Sequence, residues 1–518
     1  MSRKTRFLVV ALLALAFLGY RHFRERAAAD APAADAAVAA AKDAPPAKPR
    51  RLGRIAFAPC TLPAQMGLPG VEAQCGKLAV AENPALPRGR KIALNIAWIP
   101  ADEDGDKAPD PVFLLAGGPG QSATASYPSV AAAFRDVRKQ RGVLLVDQRG
   151  TGGSNPLQCD AADEAALSGD DAAAAQAMRA AVARCRDQLS QRADLRFYTT
   201  TDAVRDLESV RAAIGADRIN LLGVSYGTRV AQQYARAHPG HVRTLVLDSV
   251  APNDIYLGND FARNLESALT LQFGRCAKSA DCARALGDPR KQLDALMARL
   301  QADPPLVTYR DAETGLSRQE RLLPAHIAGL ARMYAYSPMA ASILPLLIHE
   351  GVEGRYDGLM ALSKMLEGTL SEQMAYGMQL SVICSEDADG LKDDPAMTSS
   401  LLGNALVAGL IAQCETWPKG ARPAGFHAPL RSDVPTLLLA GELDPVTPPA
   451  YAKRVAKSLP NGRVLVLRGQ GHNVIGAGCM PKLFARFLDT ADARALDATC
   501  LDKLAYTPPF TGFNGWGP

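Results

Sequence analysis

Two hydrophobic patterns divide the chain. Residues 75–82 and 92–98 alternate apolar and polar positions, as half-exposed antiparallel strands do. Runs at 112–116, 143–146, 219–222, 242–247, 436–439 and 464–467 are predominantly apolar, which suits parallel strands buried on both faces. Helical stripes fall between these runs. Thr201 or Asp202 can cap a helix that carries Val204, Leu207, Val210 and Ile214 on one face and ends at Gly215. A second helix is expected directly after Ser225, running toward His238-Pro239. This alternation predicts an α/β fold: a mostly parallel central sheet with helices on both faces. Between about 251 and 425 the chain becomes Met- and Leu-rich and helical, without buried-strand runs. That stretch is expected to be a helical cap inserted over the carboxyl edge of the sheet.

The chemistry concentrates at the ends of the apolar runs. Gly223-Val224-Ser225-Tyr226-Gly227 fits G-x-S-x-G, with an apolar strand before it and a helix after it. A nucleophile elbow requires that context. The glycines let strand and helix approach, and the helix N-terminus favours negative charge beside the serine. A serine hydroxyl is a weak nucleophile until a base takes its proton and an acid orients that base. In this fold class the order is Ser, acid, His. Asp444 follows the run at 436–439, and His472 follows the run at 464–467. Asp248 and Glu442 are rival acids, and Asp444 is preferred by its loop position. His238, His241, His349 and His427 are read as surface or packing residues. For the oxyanion, the backbone N–H groups of Gly118, in Gly117-Gly118-Pro119-Gly120, and of Tyr226 are the expected donors. Asp147 and Arg149 of the segment 147–154 are expected to bind each other and nearby backbone as scaffolding.

Charge and cysteine usage narrow the setting. Residues 1–54 hold 11 Lys/Arg against 4 Asp/Glu, while the rest holds 47 against 49. The body is therefore near neutral, and no nucleic-acid partner is expected. Arg3, Lys4 and Arg6 precede an apolar run at 7–20, and Ala27-Ala28-Ala29 offers a cleavage site. This reads as an export signal, with an uncleaved inner-membrane anchor as the alternative because Arg21, Arg24 and Arg26 follow the run. The ten cysteines all lie beyond it, and an exported protein can oxidise them. Sequential pairing (60–75, 159–185, 276–282, 384–414 and 479–500) is favoured, although sequence alone leaves other connectivities open. No zinc-like spacing is present, so no metal and no cofactor are expected.

Taken together, the segments 117–120, 147–152, 223–227, 441–445 and 471–472 resemble the proline iminopeptidase and secreted tripeptidyl aminopeptidase branch of the α/β-hydrolases. Cys384-Ser385-Glu386-Asp387 adds to the likeness, which spans about residues 55–500. Ala116 departs from it, since proline iminopeptidases commonly carry His there. The resemblance implies an α/β-hydrolase fold and an exported aminopeptidase, periplasmic or secreted, that acts on peptides with a free N-terminus and releases one to three residues. It also implies that Glu386 and Asp387 bind the substrate ammonium. An esterase or lipase with the same triad, and a catalytically silent binding protein, are the alternatives. The expected organisation is a signal or anchor at 1–29, a disordered tether at 30–52, hydrolase core at 53–250, cap at 251–425 and core again at 426–518.

Overall fold

The computed structural model describes residues 50–64, 69–102, 107–159, 171–312 and 314–516. The signal-like run at 7–20 and the small residues at 27–29 lie outside the described residues. Of the stretch read as a tether, Arg50–Leu52 is described, and it forms the first strand, β1.

The strands of the main sheet are β1, β2 (Ile55–Leu62), β3 (Val71–Ala81), β4 (Lys91–Ile99), β5 (Val112–Leu115), β6 (Val143–Val146), β7 (Ile219–Val224) and β8 (Val242–Asp248). A two-stranded hairpin follows, β9 (Leu306–Arg310) and β10 (Ser317–Arg321), and then β11 (Thr436–Gly441) and β12 (Gly462–Leu467) return to the main sheet. Ten strands lie in the order β1-β2-β3-β4-β6-β5-β7-β8-β11-β12. Pairing is antiparallel from β1 through β4 to β6, and parallel from β6 to β12.

Burial explains the two sequence patterns. In β5, Val112 and Leu114 face one core while Phe113 and Leu115 face the other. Both faces are covered, so every residue of β5 and β6 is buried and the runs are continuously apolar. Helices Thr200–Ile214 and Tyr226–Ala237 cover one face, and Ala123–Val130 and Met480–Thr490 cover the other. The cap of the 200–214 helix is Thr199 rather than Thr201 or Asp202. Asp202 instead returns a bond from the third helical position, completing a capping box. Gly215 ends this helix with φ 77°.

Between β8 and β11 the chain builds a core of its own from Leu265, Phe273, Leu296, Leu330, Leu347 and their neighbours. The β9–β10 hairpin, absent from the sequence reading, contributes Val307 and Tyr309 to that core. Its other positions are largely exposed, and β10 reads Ser-Arg-Gln-Glu-Arg, so no apolar run announces it. Five disulfides join the sequentially neighbouring cysteines 60–75, 159–185, 276–282, 384–414 and 479–500. No helix among the described residues is long and apolar enough to cross a membrane.

Candidate active site

Ser225 sits between β7 and helix Tyr226–Ala237 with φ 56° and ψ −123°. A non-glycine residue adopts such a backbone only when its surroundings impose it. The surroundings here are tight. A methyl group at Gly227 would lie 2.1 Å from the Leu115 carbonyl oxygen, and one at Gly223 would lie 2.4 Å from the Gly227 carbonyl oxygen. Only glycine fits at either place. The turn leaves Ser225 partly exposed, and its N–H donates to the Asp248 carbonyl at 2.9 Å. The Tyr226 N–H opens the helix, where backbone donors have no intrahelical partner. The Gly117–Gly120 loop packs against the elbow: a methyl group at Gly117 would meet the Ser225 Cβ at 3.1 Å.

His472 and Asp444 meet across the ends of β12 and β11. The His472 Nδ1 lies 2.8 Å from the Asp444 Oδ2. Asp444 is held from all sides: the N–H groups of Val446 and Thr447 donate to its Oδ1, and the Thr447 hydroxyl donates to its Oδ2. Burial alone would raise the Asp444 carboxyl, but His472 and these donors reverse that and hold it below its usual value. Burial likewise favours a neutral His472 ring, yet the Asp444 carboxylate outweighs it and lifts the histidine above its ordinary value. The His472 N–H donates to the Tyr336 carbonyl at 2.8 Å, and the two rings meet edge to face. Gly471 allows this approach, since a methyl group there would fall 2.2 Å from the Tyr336 carbonyl oxygen. Thr447 and Tyr336 were not recognised in the sequence. An Asp followed three residues later by Thr is a turn signal that could have flagged Thr447. Nothing in the sequence marks Tyr336.

The rival acids are engaged elsewhere. Asp248 accepts the N–H groups of Val474 and Ile475 at 2.8–3.0 Å and so clamps the loop that carries His472. Complete burial pushes its carboxyl up to about 6. Glu442 accepts the Gly469 N–H and the Tyr506 hydroxyl.

One expected pairing is corrected. Asp147 and Arg149 do not bind each other. Asp147 gathers Asn95, Ser122, Thr124 and the Gly153 N–H, whereas Arg149 forms a buried pair with Asp206 at 2.6 Å. Glu386 and Asp387 lie in the interior, 1% and 0% exposed, and neither is among the residues lining the cleft at Ser225. Glu386 accepts the N–H and hydroxyl of Thr200 at the start of helix Thr200–Ile214, and burial lifts its carboxyl to about 8. Asp387 is paired with the equally buried Arg229 at 2.9 Å. The acidic motif lies on helix Tyr376–Glu386 and its cap, and that helix turns both carboxylates toward the hydrolase core, where they find partners.

His238 and His241 acquire a neighbour that the sequence did not place beside them, Glu208, all within 4.8 Å of one another. Arg211 already holds both Glu208 oxygens, at 2.6 and 2.9 Å.

A strained serine elbow on a parallel sheet defines a class of protein. The chain belongs to the α/β-hydrolase-fold family, whose model matches residues 110–476, and it is a serine hydrolase. Among individual proteins it is similar to serine protease Hip1 of Mycobacterium tuberculosis, 27% identical over 483 residues that cover 85% of this chain and 90% of that one. It is also similar to tripeptidyl aminopeptidase of Streptomyces lividans, 25% identical over 462 residues, 82% of this chain and 83% of that one. A shorter likeness, 30% over 140 residues, links 27% of the chain to 32% of a proline iminopeptidase of Xylella fastidiosa.

Proposed function

We propose that the protein is an exported serine aminopeptidase that cleaves peptides from a free N-terminus through an acyl-enzyme. The observations that carry the chemistry are the 2.8 Å Asp444–His472 pair and the strained Ser225 elbow. In this reading Ser225 attacks the scissile carbonyl while the neutral His472 ring takes its proton. Asp444 fixes the tautomer, with Nδ1–H toward the carboxylate, and stabilises the imidazolium that forms. The N–H groups of Gly118 and Tyr226 bind the oxyanion. His472 then protonates the leaving amine, and water repeats the sequence on the ester. No cofactor takes part.

The peptide substrate is supported by the relatives named as a serine protease and a tripeptidyl aminopeptidase, each aligned over more than four-fifths of the chain. Export is supported by the N-terminal pattern and by the five disulfides. The test pairs free-amine with N-blocked peptidyl anilides of one to three residues and adds short and long acyl esters. Free-amine anilides should be cleaved and blocked ones spared, and Ser225→Ala should lower kcat by about 10⁴-fold or more without unfolding the protein. Ester turnover without anilide cleavage would make the protein an esterase. Unchanged turnover by Ser225→Ala would remove the mechanism.

A further inference from the structure

An aminopeptidase needs a group that recognises the substrate ammonium, and the interior placement of Glu386 and Asp387 leaves that role open. The cleft at Ser225 contains one carboxylate among its lining residues, Asp260, and neither Lys nor Arg. Asp260 immediately precedes helix Phe261–Lys278. Around it the wall is aromatic and apolar, with Tyr256, Leu257 and Phe261.

The carboxylate is held on one side only. Its Oδ2 accepts the Tyr451 hydroxyl at 2.6 Å, and Tyr451 in turn accepts from the Asn264 amide at 3.1 Å. Burial, reinforced by Asp260 itself, raises the Tyr451 phenol and keeps it protonated as a donor. The Oδ1 has no hydrogen-bond donor among the described residues. The guanidinium of Arg332 stacks over the Phe261 ring at 5.2 Å, and among the described residues it forms no ion pair with Asp260. The same Asn264 amide donates to the Val446 carbonyl at 2.8 Å, and the Val446 N–H donates to Asp444. The acid in the cleft and the acid behind His472 are therefore braced through one loop.

We propose that Asp260 receives the α-ammonium of the peptide substrate on its open oxygen, with Tyr451 and Asn264 as positioning residues. The proposal rests on the aminopeptidase reading and names the group that would enforce it. A primary ammonium would give the ionised carboxylate a charge-assisted hydrogen bond in a cleft with no competing cation in its lining. An N-acetylated substrate would remove the charge and leave Asp260 desolvated without a partner, which disfavours binding.

The experiment measures kcat/KM for matched free-amine and N-acetyl peptidyl anilides with the full-length protein and with Asp260→Asn, Asp260→Glu and Tyr451→Phe. Folding is followed by thermal melting, and the serine site by fluorophosphonate labelling. In Asp260→Asn the free-amine kcat/KM should fall about 100-fold, mainly through KM, and the free-to-acetylated ratio should collapse toward one. Asp260→Glu should restore part of the ratio. Tyr451→Phe, which keeps the charge and loses its brace, should lower the ratio less, and it serves as the test if Asp260→Asn does not fold. A folded, labelled Asp260→Asn protein with the parent ratio would overturn the assignment and leave the aminopeptidase reading standing, as would an unchanged ratio in Tyr451→Phe if that variant has to serve. Absence of any free-amine preference in the parent protein would overturn both.

Discussion

The carboxyl edge of the parallel sheet and the helical stretch between β8 and β11 both carry acids near Ser225, but they place them by different rules. At the sheet edge, register does the placing. Val224 pairs with Asp248, Asp248 pairs with Leu439, and Gly441 pairs with Leu467. The loops after those strands therefore emerge side by side, and chain order and strand length set Asp444 against His472 at 2.8 Å. In the helical stretch the only ladder among the described residues is the β9–β10 hairpin, which carries none of these acids. Glu386 and Asp387 turn inward to Thr200 and Arg229, while Asp260, which stands in no recognised motif, reaches the cleft. Acids alike in chemistry thus differ in duty, because side-chain packing decides which face of a helix is solvated.

The sharpest way to break this comparison is at the two sheet-edge aspartates. Asp444→Asn should lower kcat by about 10⁴-fold, since the imidazole loses its oriented tautomer. Asp248→Asn should cost less in kcat and should lower the Tm, because its carboxylate holds the backbone of the His472 loop. Equal losses of kcat in the two variants would give Asp248 a direct part in the chemistry.

In the helical stretch the expected effects fall on stability. Arg229→Met takes away the close partner of buried Asp387, leaving only His427 at 3.8 Å, and should cost about 3–5 kcal/mol in urea unfolding, much of it recovered by adding Asp387→Leu. A single variant as stable as the parent would mean that the pair is not buried in solution. Glu386 should have a smaller effect that depends on pH. Its folded carboxyl lies near 8 against an ordinary value of 4.5, so the folded state holds a proton that the unfolded chain has released. That contribution is complete below the unfolded value and is lost as pH rises through the folded one. Melting temperatures compared at about pH 5 and about pH 9 should fall more steeply for the parent than for Glu386→Gln. Parallel pH profiles would show that Glu386 is already ionised in the folded protein.

Much of the sheet was legible because burial on both faces writes itself into apolar runs, as in β5, β6 and β11, whereas β12 at the sheet edge keeps an apolar run although it is only partly buried and exposes Val466. The elbow was legible because its glycines answer to steric limits that no other residue meets. Less visible were features with no periodic or steric signature. The β9–β10 hairpin presents exposed, charged positions. Asp147 and Arg149 stand two residues apart and face different partners, as neighbouring loop side chains are free to do. Tyr336 supports His472 through its backbone carbonyl, which every residue possesses.

Sequence by itself therefore determined the parallel sheet, the order of Ser225, Asp444 and His472, and the disulfide-compatible cysteine set, since each follows from local pattern, chain order or composition. Tertiary structure alone decided that Asp444 rather than Asp248 or Glu442 pairs with His472, that Thr447 and Tyr336 support that pair, and that Asp260 rather than Glu386 or Asp387 opens onto the cleft. The physical reason is that a carboxylate's role depends on the donors and solvent it meets after packing, and those neighbours come from segments as far apart as residues 200 and 386.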